Sequence, residues 1–294
     1  MEKITSVESY LEWVRSCNTI EMGGLSLEQH HLFFRGQADV DWSLQPSVFV
    51  NQEAEFELLQ DSYRYAWKYL QDYPTDLEKM IVLQHYGLHT RLLDLTSNPL
   101  IALYFACIGE KEKDKDGKVF CYCSNGGEGV GIPEIIAKIA TEGIHLGLGL
   151  DQYLRNEYET FCIRKKDTPI NEDSFAEWKK EIFKAHFFLS PFNNNRITAQ
   201  RGAFIIAPIN DVDSDDYPVF SYEQIESMGN WHPTKGVIEA KRKSDLLKDL
   251  ALLGIDESTV FPDLVHLLRF LNVKHQSKTD YSVAVIGNGE EMER

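Results

Sequence analysis

The sequence predicts an α+β fold built as one unit over residues 1–294, with an insertion at 126–190. Three observations carry that reading. Apolar runs of strand length, such as HLFFRG at 31–36 and AFIIA at 203–207, end in turn residues. Between them lie segments with helical spacing of apolar residues and recognisable caps. No internal repeat and no obvious linker divides the chain.

In chain order, Thr5 and Glu8 have the spacing of a capping box, which opens a helix presenting Val7, Tyr10, Leu11 and Val14. His31–Gly36 is a short strand ending in an Arg-Gly turn, and Trp42–Pro46 is a turn. Glu53–Leu70 reads as a long aromatic-rich helix, and a second helix runs from Thr75 through Gln84, with Gly87 at its C′ position. Asn98-Pro99 starts a very apolar helix, LIALYFACI, with Pro at the favoured first position. The run GEKEKDKDGK at 109–118 is a charged surface loop leading into the strand Lys118–Ser124. Ser190–Asn195 and Ser214–Pro218 are turns, Ala203–Ala207 is a buried strand, and Val237–Lys243 is a further strand or strand end. Ser244 caps a helix through Leu253 that Gly254 stops, Phe261–Leu271 is a last helix, and Tyr281–Ile286 is a late strand.

Composition narrows the function classes. Hydrophobic residues at 43% and aromatic residues at 12% supply a real core and exclude general disorder. Thirty basic against 46 acidic residues give a net charge of −16, which disfavours sequence-independent binding to phosphate backbones while leaving room for a local basic cleft. No apolar run approaches the roughly 20 residues that span a bilayer. The N-terminal MEKITSVESYLEWV lacks the layout of a signal peptide, so a cytoplasmic protein without a membrane partner is expected. Five cysteines at low density give no disulfide framework, and Cys121 and Cys123 fit alternation within a strand.

Three segments place polar groups where the pattern calls for apolar ones. In Phe33-Phe34-Arg35-Gly36-Gln37, an arginine ends an apolar strand and must face a cleft, a partner or an internal Asp. Its planar fork suits carboxylate or pyrophosphate, and Gly36 admits a ligand or another backbone at close range. The stretch LQHYGLHTRLLDLTSNPL at 83–100 collects Gln84, His85, Tyr86, His89, Arg91, Asp94, Thr96 and Ser97 ahead of a helix start. There Thr96 or Ser97 serves either as a ligand-binding hydroxyl or as an N-cap, and Arg91–Asp94 is the alternative structural pair. His85 and His89 stand at i, i+4, but Gly87 interrupts the helix between them and no H-E-x-x-H is present, so no metal is expected. The third segment, NRITAQRGAF at 195–204, sets Arg196 and Gln200 either at the edge of the strand AFIIA or in a solvated loop. No phosphate-binding glycine loop, G-x-S-x-G or Ser-His-Asp order occurs, and GLGL at 147–150 is too weak to stand for one.

At FFRGQ and LQHYGLHTRLLDLTSNPLIALYFA the chain resembles the FRG domain family. RITAQRGAFIIAP and LLGIDESTVFPDL are similar to that family's downstream elements, so the resemblance covers 28–271 discontinuously. More loosely, the chain resembles ADP-ribosyltransferases of the Arg-Ser-Glu type. Phe34-Arg35-Gly36 is similar to their first strand, and Thr96-Ser97-Asn98-Pro99 with Ala102, Tyr104, Phe105 and Ala106 to their second element, in the same order. The third element departs from the pattern, with Gln200 and no E-x-E, so a carboxylate such as Asp94 or Glu55 would have to take that place.

The second resemblance implies a split mixed sheet flanked by helices, and NAD as substrate. It implies that Arg35 clamps the pyrophosphate, with Gln200 and Asp94 completing the catalytic set. Thr96 and Ser97 would hold the nicotinamide-side ribose, and Tyr86 or Tyr104 would stack on nicotinamide. Gly36, Gln37, His85 and Arg91 would complete the cofactor site. It further implies a glycosyltransferase-class bacterial toxin or antiviral-defence effector that modifies a protein or nucleic-acid acceptor under the control of an antitoxin or regulatory protein. The other expectation is a non-catalytic module that recognises an anionic ligand or partner through Arg35.

Overall fold

Alternating apolar side chains at 31–37 and 117–124 build two neighbouring strands in the middle of a seven-stranded mixed sheet. The computed structural model describes residues 2–17, 31–50, 54–124, 129–142, 150–164, 171–191, 194–212, 218–219, 235–264, 266–268 and 271. Its strands are β1 (Glu2–Ile4), β2 (His31–Gln37), β3 (Leu92–Thr96), β4 (Gly117–Ser124), β5 (His186–Leu189), β6 (Gly202–Ile206), β7 (Asn210–Val212), β8 (Pro218–Val219) and β9 (Gly236–Ile238). Its helices are α1 (Val7–Cys17), α2 (Ser47–Val50), α3 (Glu55–Leu70), α4 (Asp76–His85), α5 (Pro99–Cys107) and α6 (Gly131–Glu142). They continue with α7 (Leu150–Arg164), α8 (Glu172–Ile182), α9 (Asn195–Gln200), α10 (Ala240–Leu252) and α11 (Glu257–Val260). The main sheet runs β1-β9-β4-β2-β3-β6-β5, parallel at β1/β9 and antiparallel elsewhere, while β7 and β8 pair separately.

Cross-strand register assigns the faces. Phe34 pairs with Thr96 and Cys121, and Asp94 with Phe204, so these side chains share one face. Over the β9-β4-β2 half of that face, Phe34, Val119 and Cys121 pack under α1, α5 and α10. Over the β3-β6-β5 half, Leu92, Phe188, Phe204 and Ile206 pack under α3, α4 and α6–α8, the last three supplied by residues 126–190. The opposite face buries Phe33, Leu93, Leu95, Phe120, Tyr122, Phe187 and Ile205 with Leu44.

Helix ends follow local chemistry. Thr75 and Glu78 close a capping box on α4, and Gly87 (φ 98°) ends it with its N–H on the Gln84 carbonyl and the Leu88 N–H on that of Leu83. Asn98 caps α5 by accepting from the Leu100 N–H at 3.0 Å, so neither Thr96 nor Ser97 is the N-cap. In α1 the reciprocal bonds join Ser6 and Ser9 rather than Thr5 and Glu8, and Tyr10, Trp13 and Cys17 are the residues fully buried. The aromatic helix starts at Glu55, two residues later than expected.

Two further expectations are corrected. Ala240–Lys243 is the first turn of α10 instead of strand, and Ser244 lies inside that helix. The Lys243 ammonium, buried against the Ala38 and Glu112 carbonyls, fixes this turn through long-range contacts that the sequence pattern does not display. Residues 195–200 form α9, capped by Asn194, where an irregular turn and strand edge were expected. The expected last helix is preceded by α11, which Asp256 caps, and Leu264, His266–Leu268 and Leu271 are helical. Ser214–Tyr217 of the SDDYP turn, residues 147–149 of GLGL and Tyr281–Ile286 lie outside the described residues. No described helix is long and apolar enough to cross a membrane.

Candidate functional site

β2 and β3 meet at one registered pair, Phe34 opposite Thr96, although β2 runs beside β4 from His31 to Gln37 and β3 beside β6 from Leu92 to Thr96. Past that pair the two strands part, and the Arg35 guanidinium enters the gap. Its Nη1 donates to the Asp94 main-chain carbonyl at 2.8 Å, which occupies an acceptor on the strand edge. Its Nε is buried without a partner. Burial pulls the Arg35 pKa down from its ordinary value, and the Asp94 charge opposes that shift. Among the described residues no carboxylate forms an ion pair with Arg35, so the internal Arg–Asp bridge is absent and the Asp94 carboxylate is a neighbour only.

This gap is the floor of a cavity of about 200 Å³ where the two groups of helices separate. Its walls include Gln84 and His85 from the end of α4, Phe105 from α5, and Arg196 and Gln200 from α9. A polar relay orients the acidic group. The Thr90 hydroxyl donates to Gln84 Oε1, and Gln84 Nε2 donates to Asp94 Oδ1 at 2.7 Å. Burial, then the positive charge of Arg196, holds the His85 imidazole below its usual pKa. Arg196 Nη1 donates to the His85 carbonyl at 2.7 Å, and the guanidinium lies 4.9 Å from the Phe261 ring centre. Gln200 is tied through side chain and backbone, since its Nε2 donates to the Val260 carbonyl at 3.2 Å and its main-chain carbonyl accepts from Thr96 Oγ1 at 2.5 Å.

Of the residues that the sequence puts forward, Arg35, Gly36, His85, Asp94, Thr96 and Gln200 line this cavity. Gly36 serves a neighbouring backbone, because a Cβ there would lie 1.9 Å from the Ala102 carbonyl oxygen of α5. Thr96 is buried and spends its hydroxyl on Gln200 while also accepting from the Asn98 N–H. Six residues that the sequence puts forward lie outside this lining. Arg91 is fully buried in an ion pair with Glu55, which removes both from the cleft and rules out Glu55 as a substitute carboxylate. Gln37 is buried and donates to the Ser43 carbonyl. Tyr86 is 79% exposed at the end of α4, outside the lining, whereas Tyr104 is buried in the core under α5. Ser97 is exposed, with its N–H and hydroxyl both directed at the Arg201 carbonyl.

Gln84, Phe105 and Arg196 are lining residues that the sequence-derived site omits. Gln84 and Arg196 do fall in the polar segments singled out above, and that density of polar residues beside apolar runs is the signal that finds them. Among the described residues no group of three or more His, Cys, Asp or Glu is arranged to hold a metal ion.

Residues 30–115 match the family model of the FRG domain. The matched stretch contributes Arg35, Gln84, His85, Asp94, Thr96 and Phe105 to the cavity, and Arg196 and Gln200 lie beyond it. No curated protein and no solved structure matches the chain.

Proposed function

We propose that the cleft binds NAD and supports ADP-ribosyltransferase-like chemistry, with Arg35 on the ligand's diphosphate and Asp94 as the carboxylate of the site. One observation carries the reading: a half-buried guanidinium held by a main-chain carbonyl keeps its charge and a buried Nε donor available. Such a fork matches phosphate oxygens in pairs. At about 200 Å³ the cavity is smaller than the roughly 300–1,000 Å³ pockets that enclose drug-sized ligands, so it takes one end of the dinucleotide.

In the reaction the ribose C1′–nitrogen bond breaks, and its electron pair leaves with neutral nicotinamide. The acceptor's nucleophile forms the new bond at C1′ and releases its proton to solvent. Asp94, steadied by Gln84, places negative charge beside the cationic ribose, which is the electrostatic part of the catalysis. A specific observation supports a second reading, anion recognition without turnover. Gln200 brings no charge, and its amide is already engaged by Val260.

Titrating NAD against the native chain and measuring released nicotinamide separates the two. We expect Arg35→Lys to lose affinity by about 1.5–3 kcal/mol, the range for a hydrogen bond to a charged group, with the fold intact. Asp94→Asn should retain binding and lose nicotinamide release on the transferase reading. Native protein that binds NAD without turnover leaves the recognition reading standing. NAD binding that Arg35→Lys leaves unchanged refutes both.

A further inference from the structure

A chain with a net charge of −16 sets two guanidiniums, Arg35 and Arg196, in the wall of one small cavity. The two are held alike. Arg35 Nη1 donates to the Asp94 carbonyl at 2.8 Å, and Arg196 Nη1 to the His85 carbonyl at 2.7 Å. Main-chain carbonyls orient a guanidinium without neutralising it. Among the described residues neither arginine forms an ion pair with a carboxylate, and the cavity's acidic lining group, Asp94, already accepts from Gln84. Guanidinium has five N–H donors, so each arginine keeps donors to spare.

Arg196 is also braced from the side. Its guanidinium lies over Phe261, and the His266 ring stacks on Phe261 with centroids 4.7 Å apart and planes at 17°. His266 Nδ1 lies 2.8 Å from the Asp263 carboxylate, and Phe105 meets Phe261 edge-on at 5.8 Å. Ordering this long side chain costs rotamer entropy, which the carbonyl bond and the ring contact offset, so the head group is held in the wall in advance of any ligand.

We infer that Arg196 is a second anion-gripping residue of the cleft, acting opposite Arg35 on a ligand with two linked anionic groups, of the nucleoside diphosphate class. This rests on the reading of the cleft as an anion-binding site. It assigns half of the grip to a residue outside the matched FRG stretch, on a wall that the chain around residues 257–266 holds in place.

The test titrates ADP and AMP into the full chain by calorimetry, with native protein, Arg196→Gln and Arg196→Lys. Native protein should bind ADP at least ~10-fold tighter than AMP, the scale of one charge-assisted hydrogen bond. Arg196→Gln should bring ADP down to the level of AMP while moving AMP by less than about twofold. Arg196→Lys, which keeps the charge but loses the fork and the stacking, should fall between, and it carries the test if the Gln variant misfolds in a thermal melt. ADP binding that Arg35→Lys abolishes and both Arg196 variants spare overturns this assignment and leaves the NAD reading intact. Equal losses for ADP and AMP in Arg196→Gln also overturn it, since Arg196 would then act on the shared phosphate. No binding of ADP, AMP or NAD by native protein removes the anion site itself and this inference with it.

Discussion

Replacing Glu55 by Gln is the sharpest test of what holds the cleft in shape. Arg91 is 0% exposed and Glu55 5%, and the pair is bidentate, with Nε to Oε1 at 2.8 Å and Nη2 to Oε2. Nη1 reaches the carbonyls of Ala207 and Pro208 at 3.3 and 3.4 Å. The pair therefore joins the first residue of α3 to the chain just before β3 and just after β6, the two strands that carry Asp94 and Phe204. Glu55→Gln keeps the shape but leaves a buried guanidinium without its countercharge. Breaking a buried pair from one side costs about 3–5 kcal/mol. Against a total stability of roughly 5–15 kcal/mol this is about a fifth or more, and at ~2–4 °C per kcal/mol for chains of 150–250 residues it lowers Tm by roughly 6–20 °C. Urea unfolding with an unchanged slope measures it. The double variant Glu55→Gln/Arg91→Met, with no charge left to compensate, should recover part of the loss. The exposed pair Lys180–Glu177 is the control, and Glu177→Gln should cost no more than about 1 kcal/mol. A loss below ~1 kcal/mol for Glu55→Gln, or a double variant worse than the single, refutes the account.

Gly36→Ala should destabilise by about 3 kcal/mol or more in the same assay, because its Cβ would meet backbone atoms of α5 at 1.9 and 2.7 Å and no rotamer relieves that; native-like stability would show that α5 can shift away. Thr96→Val should cost on the order of 1–3 kcal/mol by leaving the Gln200 carbonyl without its donor, and a neutral result would mean that water replaces the hydroxyl. For His85 the folded pKa is lowered from 6.5 by burial and then by Arg196, with Asp263 and Asp94 opposing and His266 adding to the shift. The unfolded chain therefore binds the proton more readily, so stability is complete above about pH 6.5 and falls as pH drops toward the lower folded value. His186, lowered chiefly by burial, shifts the same way. Unfolding at pH 7.5 and pH 5 should show native protein losing stability and His85→Gln losing less of it, and identical losses would remove His85 as a source.

What the sequence discloses about this fold divides by the range of the interaction involved. α4 and α5 are legible because their ends are local chemistry: a Thr-x-x-Glu box and a glycine at φ 98° for one, Asn-Pro for the other. β2 and β4 are legible because alternation places Phe33 and Phe34, and Phe120 and Cys121, on opposite faces of the sheet. α9 is a single six-residue turn whose cap, Asn194, lies in a run of three asparagines, so its cue merges with that of an irregular turn.

The site divides in the same way. Arg35 and Arg91 look alike in the sequence, each a cation beside apolar residues, and they end in opposite states. The difference is Glu55, which comes 36 positions before Arg91 and meets it only once α3 packs. Arg35 has no such partner because the strands part beside it, and that parting is a property of the sheet that no neighbouring residue encodes. The same holds for the tyrosines. Tyr86 follows the last turn of α4 and faces water, while Tyr104 lies within α5 and is buried in the core, so neither lines the cleft although both flank it in sequence. A polar residue in an apolar setting thus marks a place where charge must be resolved. Whether it is resolved by a carboxylate, as at Arg91, or held on a main-chain carbonyl, as at Arg35 and Arg196, is decided by which distant groups the fold brings within hydrogen-bonding reach. These two arginines bond main-chain carbonyls, while Asp94 and Asp263 act on them through charge alone, without forming an ion pair.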